Sequence, residues 1–145
     1  MRLAVVLLAL AACKPAPHLE WIDAPAAGDI ATLVQGELAN SAGHRVIVYV
    51  GAKWCEPCQH FHQAAQSGAL AQTFPNVRFF AFDLDLDRDR DRLVAAGYMS
   101  PLIPLLVVPD SAGRGTDKRM FGSIKGDGAV AEMTPRLQAL LAQPP

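Results

Sequence analysis

The sequence predicts an α/β domain with a mixed central sheet of four to five strands and helices on both faces. Three observations carry this prediction. Apolar runs rich in β-branched and aromatic residues, at 45–50, 77–82 and 105–108, alternate with segments of helical period. Gly, Pro, Asn or Asp punctuates the ends of those runs. At 145 residues and 51% hydrophobic, the chain is long enough for one ordinary core and too short for several domains.

The elements follow in order. Trp21 and Ile22 lie on a short first strand or on the lead-in to the domain. Asp29 caps a helix over residues 30–40, where Ile30, Leu33, Val34, Glu37 and Leu38 recur at helical spacing. Ser41, Ala42 and Gly43 end it. Residues 45–50, RVIVYV, form an unbroken apolar run, the pattern of a strand buried on both faces. Residues 51–57 turn into a second helix over 58–73, and Pro75 and Asn76 break the chain. A further apolar strand covers 77–82, and a third helix covers 87–96 before Gly97. A strand at 105–108, a turn at 110–115 and an edge strand at 118–124 come next. A last helix runs over 129–142, with Pro135 either disturbing its middle or opening a new first turn.

Composition excludes several function classes. Thirteen Lys and Arg against fourteen Asp and Glu leave a net charge of −1, without the basic stripe of a nucleic-acid binder. A charged fraction of 19% with aliphatic residues throughout excludes a disordered chain. Three cysteines are too few for a disulfide scaffold. Asp83, Asp85 and Asp87 imitate the start of a calcium loop, but Arg88 stands where the sixth-position glycine belongs and Val94 where the glutamate belongs. The run reads instead as a strand end and an acidic first helical turn, with arginines one turn later pairing with the aspartates.

Residues 1–12 read as an export signal: Arg2, then an apolar run too short to span a bilayer. Leu10-Ala11-Ala12-Cys13 resembles the bacterial lipobox. That resemblance implies cleavage before Cys13, lipidation of its sulfur and a mature chain anchored to the cell membrane or outer membrane, facing the periplasm. Residues 13–20, with Pro15 and Pro17, read as an extended tether, and 21–145 as the domain.

Trp54-Cys55-Glu56-Pro57-Cys58 follows the buried strand and opens a helix. A thiolate at a helix N-terminus is stabilised by unpaired N–H groups and the helix dipole, so it ionises below the free value of about 8.5. Two intervening residues let one turn bring both sulfurs within disulfide reach, and Pro57 suits a first turn that needs no N–H there. Strand, WCxxC and helix together resemble the thioredoxin superfamily, from about residue 46 to 141. The resemblance implies a thiol–disulfide oxidoreductase in which Cys55 is the exposed nucleophile and the more buried Cys58 resolves the mixed disulfide, with Trp54 shielding the adjacent face. Glu56 and Pro57 form the active-site loop. Ile103-Pro104 before an apolar strand resembles the family's cis-proline, which would present the Ile103 backbone to an extended substrate. No cofactor beyond a redox-active Cys55–Cys58 disulfide is implied, and no metal.

The pattern departs from the family at one point. Thioredoxins carry a buried Asp six residues before the first cysteine, and here that position is Tyr49, a poor base. The CEPC motif is similar to that of exported reductases serving cytochrome c maturation, and residues 46–122 look like the C-terminal domain of the membrane-bound disulfide interchange reductase. These likenesses point to a reductant of exported protein disulfides supplied by a membrane electron donor. Two other readings stand beside it. One is a copper or zinc chaperone using Cys55, Cys58 and His62. The other is a redox-inert adaptor docking partners beside Pro104.

Overall fold

The computed structural model describes residues 16, 18–85 and 87–144, with the Asp87 and Arg88 side chains outside the description. The signal, Cys13 and half of the tether lie outside the described residues. Nine elements follow in order: β1 (Leu19–Asp23), α1 (Ile30–Ala39), β2 (Arg45–Gly51), α2 (Glu56–Gln66), β3 (Val77–Asp83), α3 (Asp87–Ala96), β4 (Leu105–Pro109), β5 (Gly115–Phe121) and α4 (Ala129–Ala142). The strands form one mixed sheet in the order β1-β3-β2-β4-β5. β1, β3 and β2 are parallel, while β4 runs antiparallel to both β2 and β5. None of the described helices is long and apolar enough to cross a membrane.

The unbroken apolar runs are explained by where they sit. β2 and β3 are inner strands, so their odd and even residues each face a core. Ile47, Tyr49, Phe79, Ala81 and Leu106 pack on one side with Phe61, Met133, Leu137 and Leu140 of α2 and α4. Val46, Val48, Val50, Phe80, Phe82 and Val107 pack on the other with Ile30, Val34, Leu93 and Tyr98 from α1, α3 and the turn after α3. Helices therefore cover both faces, as the sequence predicts.

Four boundaries differ from the sequence reading. β1 is a strand, and it takes Leu19 and Glu20 from the stretch assigned to the tether, because both pair in register with β3. α2 begins at Glu56 rather than Cys58 and ends at Gln66 rather than residue 73. Gly68, at φ +80°, turns the chain out of the helix, and Leu70 and Phe74 stay buried through turn hydrogen bonds instead. β5 starts three residues early, at Gly115, because Asp110 accepts from the N–H groups of Ala112 and Arg114 and closes the hairpin sooner. α4 runs through Pro135 unbroken. The Thr134 hydroxyl donates to the Val130 carbonyl, and the Glu132–Arg136 pair spans the proline.

Asp29 caps α1 as expected, and hydrogen bonds from the Thr32 N–H and hydroxyl hold its carboxyl below its ordinary range. Asp89 and Arg92 of α3 pair one turn apart, as the acidic helix start implies.

The β4–β5 turn lies against α1 so closely that a Cβ on Gly113 would sit 2.1 Å from the Ala31 carbonyl oxygen, at a φ of +73°. Tyr98 donates to the Gly113 carbonyl at 2.7 Å from the opposite side. Gly113→Ala is therefore expected to destabilise the domain by about 2 kcal/mol or more, combining left-handed strain with a backbone clash. Gly126→Ala, at similar φ but facing open space, should cost only the strain, about 1 kcal/mol. Denaturant titration of the two variants checks the difference.

Candidate redox site

β2 carries the chain to Gly51 at its C-terminal end, and the loop 52–55 turns it into α2. The Cys55 N–H donates to the Ala52 carbonyl at 3.1 Å. Asp85, just beyond β3, accepts from the Lys53 N–H at 2.9 Å and ties this loop to the end of the neighbouring strand. Gln59 reaches back to the Lys53 carbonyl from inside α2.

Cys55 is the N-cap of α2, and its Sγ accepts from the Cys58 N–H at 3.3 Å. The two sulfurs are joined in a disulfide, with Cα atoms 5.2 Å apart. Pro57 sits within the first turn, where its missing N–H leaves nothing unpaired. Cys55 keeps 5% of its surface and Cys58 3%. Both cysteines are therefore buried in this oxidised form, and the expected contrast between an exposed Cys55 and a buried Cys58 is narrow.

Trp54 is 71% exposed and stands out into solvent. Glu56 is exposed, and its carboxylate accepts from the Gly126 N–H at 3.1 Å and faces His60 Nε2 at 3.8 Å. Gly126, in the loop before α4, thus borders the motif, and Ile124 and Leu102 are exposed apolar side chains. The Ile103–Pro104 peptide bond is cis. Pro104 is buried, Ile103 is half-buried against the core, and the Pro104 carbonyl accepts from the Gly122 N–H at 2.9 Å.

Behind the disulfide lies an open cavity of about 500 Å³. Cys58, Tyr49, His62, Trp21, Asp23 and Asp83 are among its walls. Tyr49 is buried at the position where thioredoxins carry an aspartate, and its hydroxyl donates to the Cys58 carbonyl at 3.4 Å. Burial first, and the Asp83 carboxylate second, push its phenol well above the ordinary value. It therefore stays a neutral donor at any physiological pH. Gly51 is required beside it, since a Cβ there would meet the Tyr49 hydroxyl at 2.5 Å.

His62 is one turn beyond Cys58 on α2. Its Nε2 is buried without a hydrogen-bond partner, and its ring lies 4.5 Å from that of Trp21. Trp21 also meets Tyr49 at 4.7 Å and donates to Asp23. The site's inner wall thus comes from β1, which the sequence reading left undecided. The parallel pairing of Trp21 with Phe79 brings it there, and that register has no local sequence signal. The four-residue spacing of Cys58 and His62 was the available clue to the histidine.

In this oxidised form the Cys55 and Cys58 sulfurs are bonded to each other, and the His62 ring lies tilted against that of Trp21.

No protein-family model matches the chain, and no curated protein matches it. Among solved structures, a poplar thioredoxin h aligns over 87% of this chain and 98% of its own, at 20% identity and a TM-score of 0.52. A thioredoxin from Fasciola hepatica aligns over 81% and 97%, at 20% identity and a TM-score of 0.48. A mutant thioredoxin from Halobacterium salinarum aligns over 91% and 99%, at 17% identity and a TM-score of 0.47. With its strand order, its helices on both faces and the likeness to the poplar protein, this chain has the thioredoxin fold.

Proposed function

We propose that the chain is a thiol–disulfide oxidoreductase acting on protein substrates through Cys55 and Cys58. The observation that carries this reading is the disulfide at the N-terminus of α2, with Cys55 Sγ already receiving the Cys58 N–H. On reduction, a Cys55 thiolate keeps that donor and the positive end of the helix dipole. It attacks a substrate disulfide, forming a mixed disulfide and releasing one substrate thiolate. Cys58 then attacks Cys55 Sγ, releases the second substrate thiolate and restores the intramolecular disulfide. Two electrons pass to the substrate, and an external dithiol must return them.

Exposed Trp54, next to Cys55 in the chain, and exposed Leu102, next to the cis Ile103–Pro104 bond, supply an apolar rim against which an extended polypeptide can lie. We assign the chain the reductant direction, with a membrane protein as donor, on the CEPC resemblance. Leu10-Ala11-Ala12-Cys13 supports an exported, lipid-anchored location facing the periplasm.

Attack by Cys58 requires that its thiol lose a proton, and Tyr49 cannot take it. His62 is the base we assign. It shares the cavity wall with Cys58, and its buried Nε2 has no hydrogen-bond partner among the described residues. Asp23 and Asp83, on the same cavity, already accept hydrogen bonds from Trp21 and from the Asp85 N–H.

Insulin reduction driven by dithiothreitol is expected for the parent protein and to be abolished in Cys55→Ser. Cys58→Ser should instead accumulate a mixed disulfide with its substrate, read by mass spectrometry. An inactive parent protein, or a Cys55→Ser variant that retains its rate, overturns the assignment. His62→Gln should slow resolution of the mixed disulfide about 10²-fold at neutral pH and leave its formation unchanged, measured by single-turnover kinetics. Glu56→Gln removes a negative charge beside the helix start, so it should favour the reduced thiolate and raise the reduction potential. A rise of about 30 mV corresponds to a tenfold change in the exchange equilibrium, read against glutathione.

A further inference from the structure

A second constellation lies at the opposite end of the sheet from the disulfide. His18 precedes β1 and His44 precedes β2, on either side of the turn that leads into β3. Asn76, at φ +59°, joins the two: its N–H donates to the His18 carbonyl at 2.9 Å, and its carbonyl accepts from the Arg45 N–H at 2.7 Å. Leu19 and Arg45 both pair with Val77, so the two histidines stand at equivalent places on either side of one strand. Their ring centroids lie 5.7 Å apart. Glu20, on β1 and in register with Arg78, extends its carboxylate between them.

Three side-chain atoms converge there. Glu20 Oε1 lies 3.6 Å from His18 Nδ1 and 3.8 Å from His44 Nε2, and all three residues offer ligand atoms within 4.8 Å of one another. His44 Nδ1 lies 3.0 Å from the Ser41 carbonyl, an acceptor, so this nitrogen carries the proton. That leaves Nε2 as the nitrogen available to a ligand, buried, without a hydrogen-bond partner and 3.8 Å from the carboxylate. A carbonyl-bound imidazole N–H opposite a free nitrogen is the arrangement that orients histidine ligands at metal centres.

Glu20 is held for the same task. Its other oxygen accepts from Arg78 Nε, and that bond is the main reason its carboxyl stays ionised below the ordinary range. Arg78 also bonds Glu37 Oε2 at 3.2 Å and the Asn40 carbonyl at 2.9 Å. Glu20 and Glu37 thus share one guanidinium, and Glu20 is the carboxylate that reaches the histidines.

We propose that His18, Glu20 and His44 form a binding site for a borderline divalent transition-metal ion of the zinc class. Two imidazoles and one carboxylate are the donors such ions take, with a fourth position open to water. Donor atoms around a tetrahedral ion with bonds of about 2.0–2.1 Å stand roughly 3.3 Å apart. The two edges through Glu20 need to close by only a few tenths of an ångström, and His18, whose side chain is 63% exposed, is free to supply the rest. The ion would clasp the segment entering β1 to the turn before β2. β2 separates this site from the disulfide by seven residues, about 20 Å, so the site stands independently of the redox reading.

The test is titration of the full-length oxidised protein with Zn²⁺ against a chelating dye, with Co²⁺ as the spectroscopic probe. One equivalent is expected to bind. Co²⁺ should give d–d bands of a nitrogen–oxygen site without a thiolate charge-transfer band, and a Cys55→Ser/Cys58→Ser variant should bind equally. His18→Ala and His44→Gln should each weaken binding at least tenfold. His18→Ala, altering a largely exposed ring, guards against a variant that merely fails to fold. Absence of binding, a thiolate charge-transfer band, or a less than tenfold loss in His18→Ala overturns the proposal.

Discussion

The start of α2 is where this molecule's structure and chemistry are joined. A helix that begins in a sheet loop leaves N–H groups without partners, and here one of them is met by a sulfur rather than by an oxygen. Everything around it serves to hold that helix start in place. β2 delivers the chain to it from between two hydrophobic layers, Asp85 and Gln59 fix the loop that precedes it, and Phe61 and Ala65 bury the helix against Ile47 and Phe79. A rigid helix start is what allows a small, polarisable anion to be stabilised by orientation rather than by a countercharge.

Behind the sulfurs, Tyr49 sets the polar environment. A phenol in place of a carboxylate at position 49 places no charge beneath Cys58. It gives a hydroxyl that donates to the Cys58 carbonyl and a ring that stacks at 5.9 Å on Phe61. The space left open is lined by carboxylates, His62 and Trp21. In the mechanism we propose, proton handling is moved from the strand to the helix, one turn below the resolving cysteine.

The two ends of the sheet carry different chemistry for a topological reason. In parallel strands, equivalent ends gather on one edge. The C-terminal ends of β2 and β3 bring Gly51, Lys53, Asp83 and Asp85 to the disulfide. The N-terminal ends of β1 and β2 bring His18, Glu20 and His44 together around β3. Two histidines far apart in the chain become neighbours because the strands that follow them both pair with Val77.

Much of this was readable from local pattern. The alternation of β-branched runs with helical spacing, the cap at Asp29 and the WCEPC turn are local signals, governed by side-chain period, backbone capping and one turn of helix. They placed the fold class and the start of α2 at the cysteine motif, while the proline before β4 was expected only from a family resemblance. The burial of both cysteines, the openness of Trp54, the strand status of residues 19–23 and the passage of α4 through Pro135 depend on what packs against each segment. The wall that Trp21 builds and the histidine–glutamate cluster depend on strand register, a pairing between distant segments that neither segment encodes alone. Neighbouring residues dictate period and turns; which strand lies beside which is settled only when two hydrophobic layers close on the sheet together.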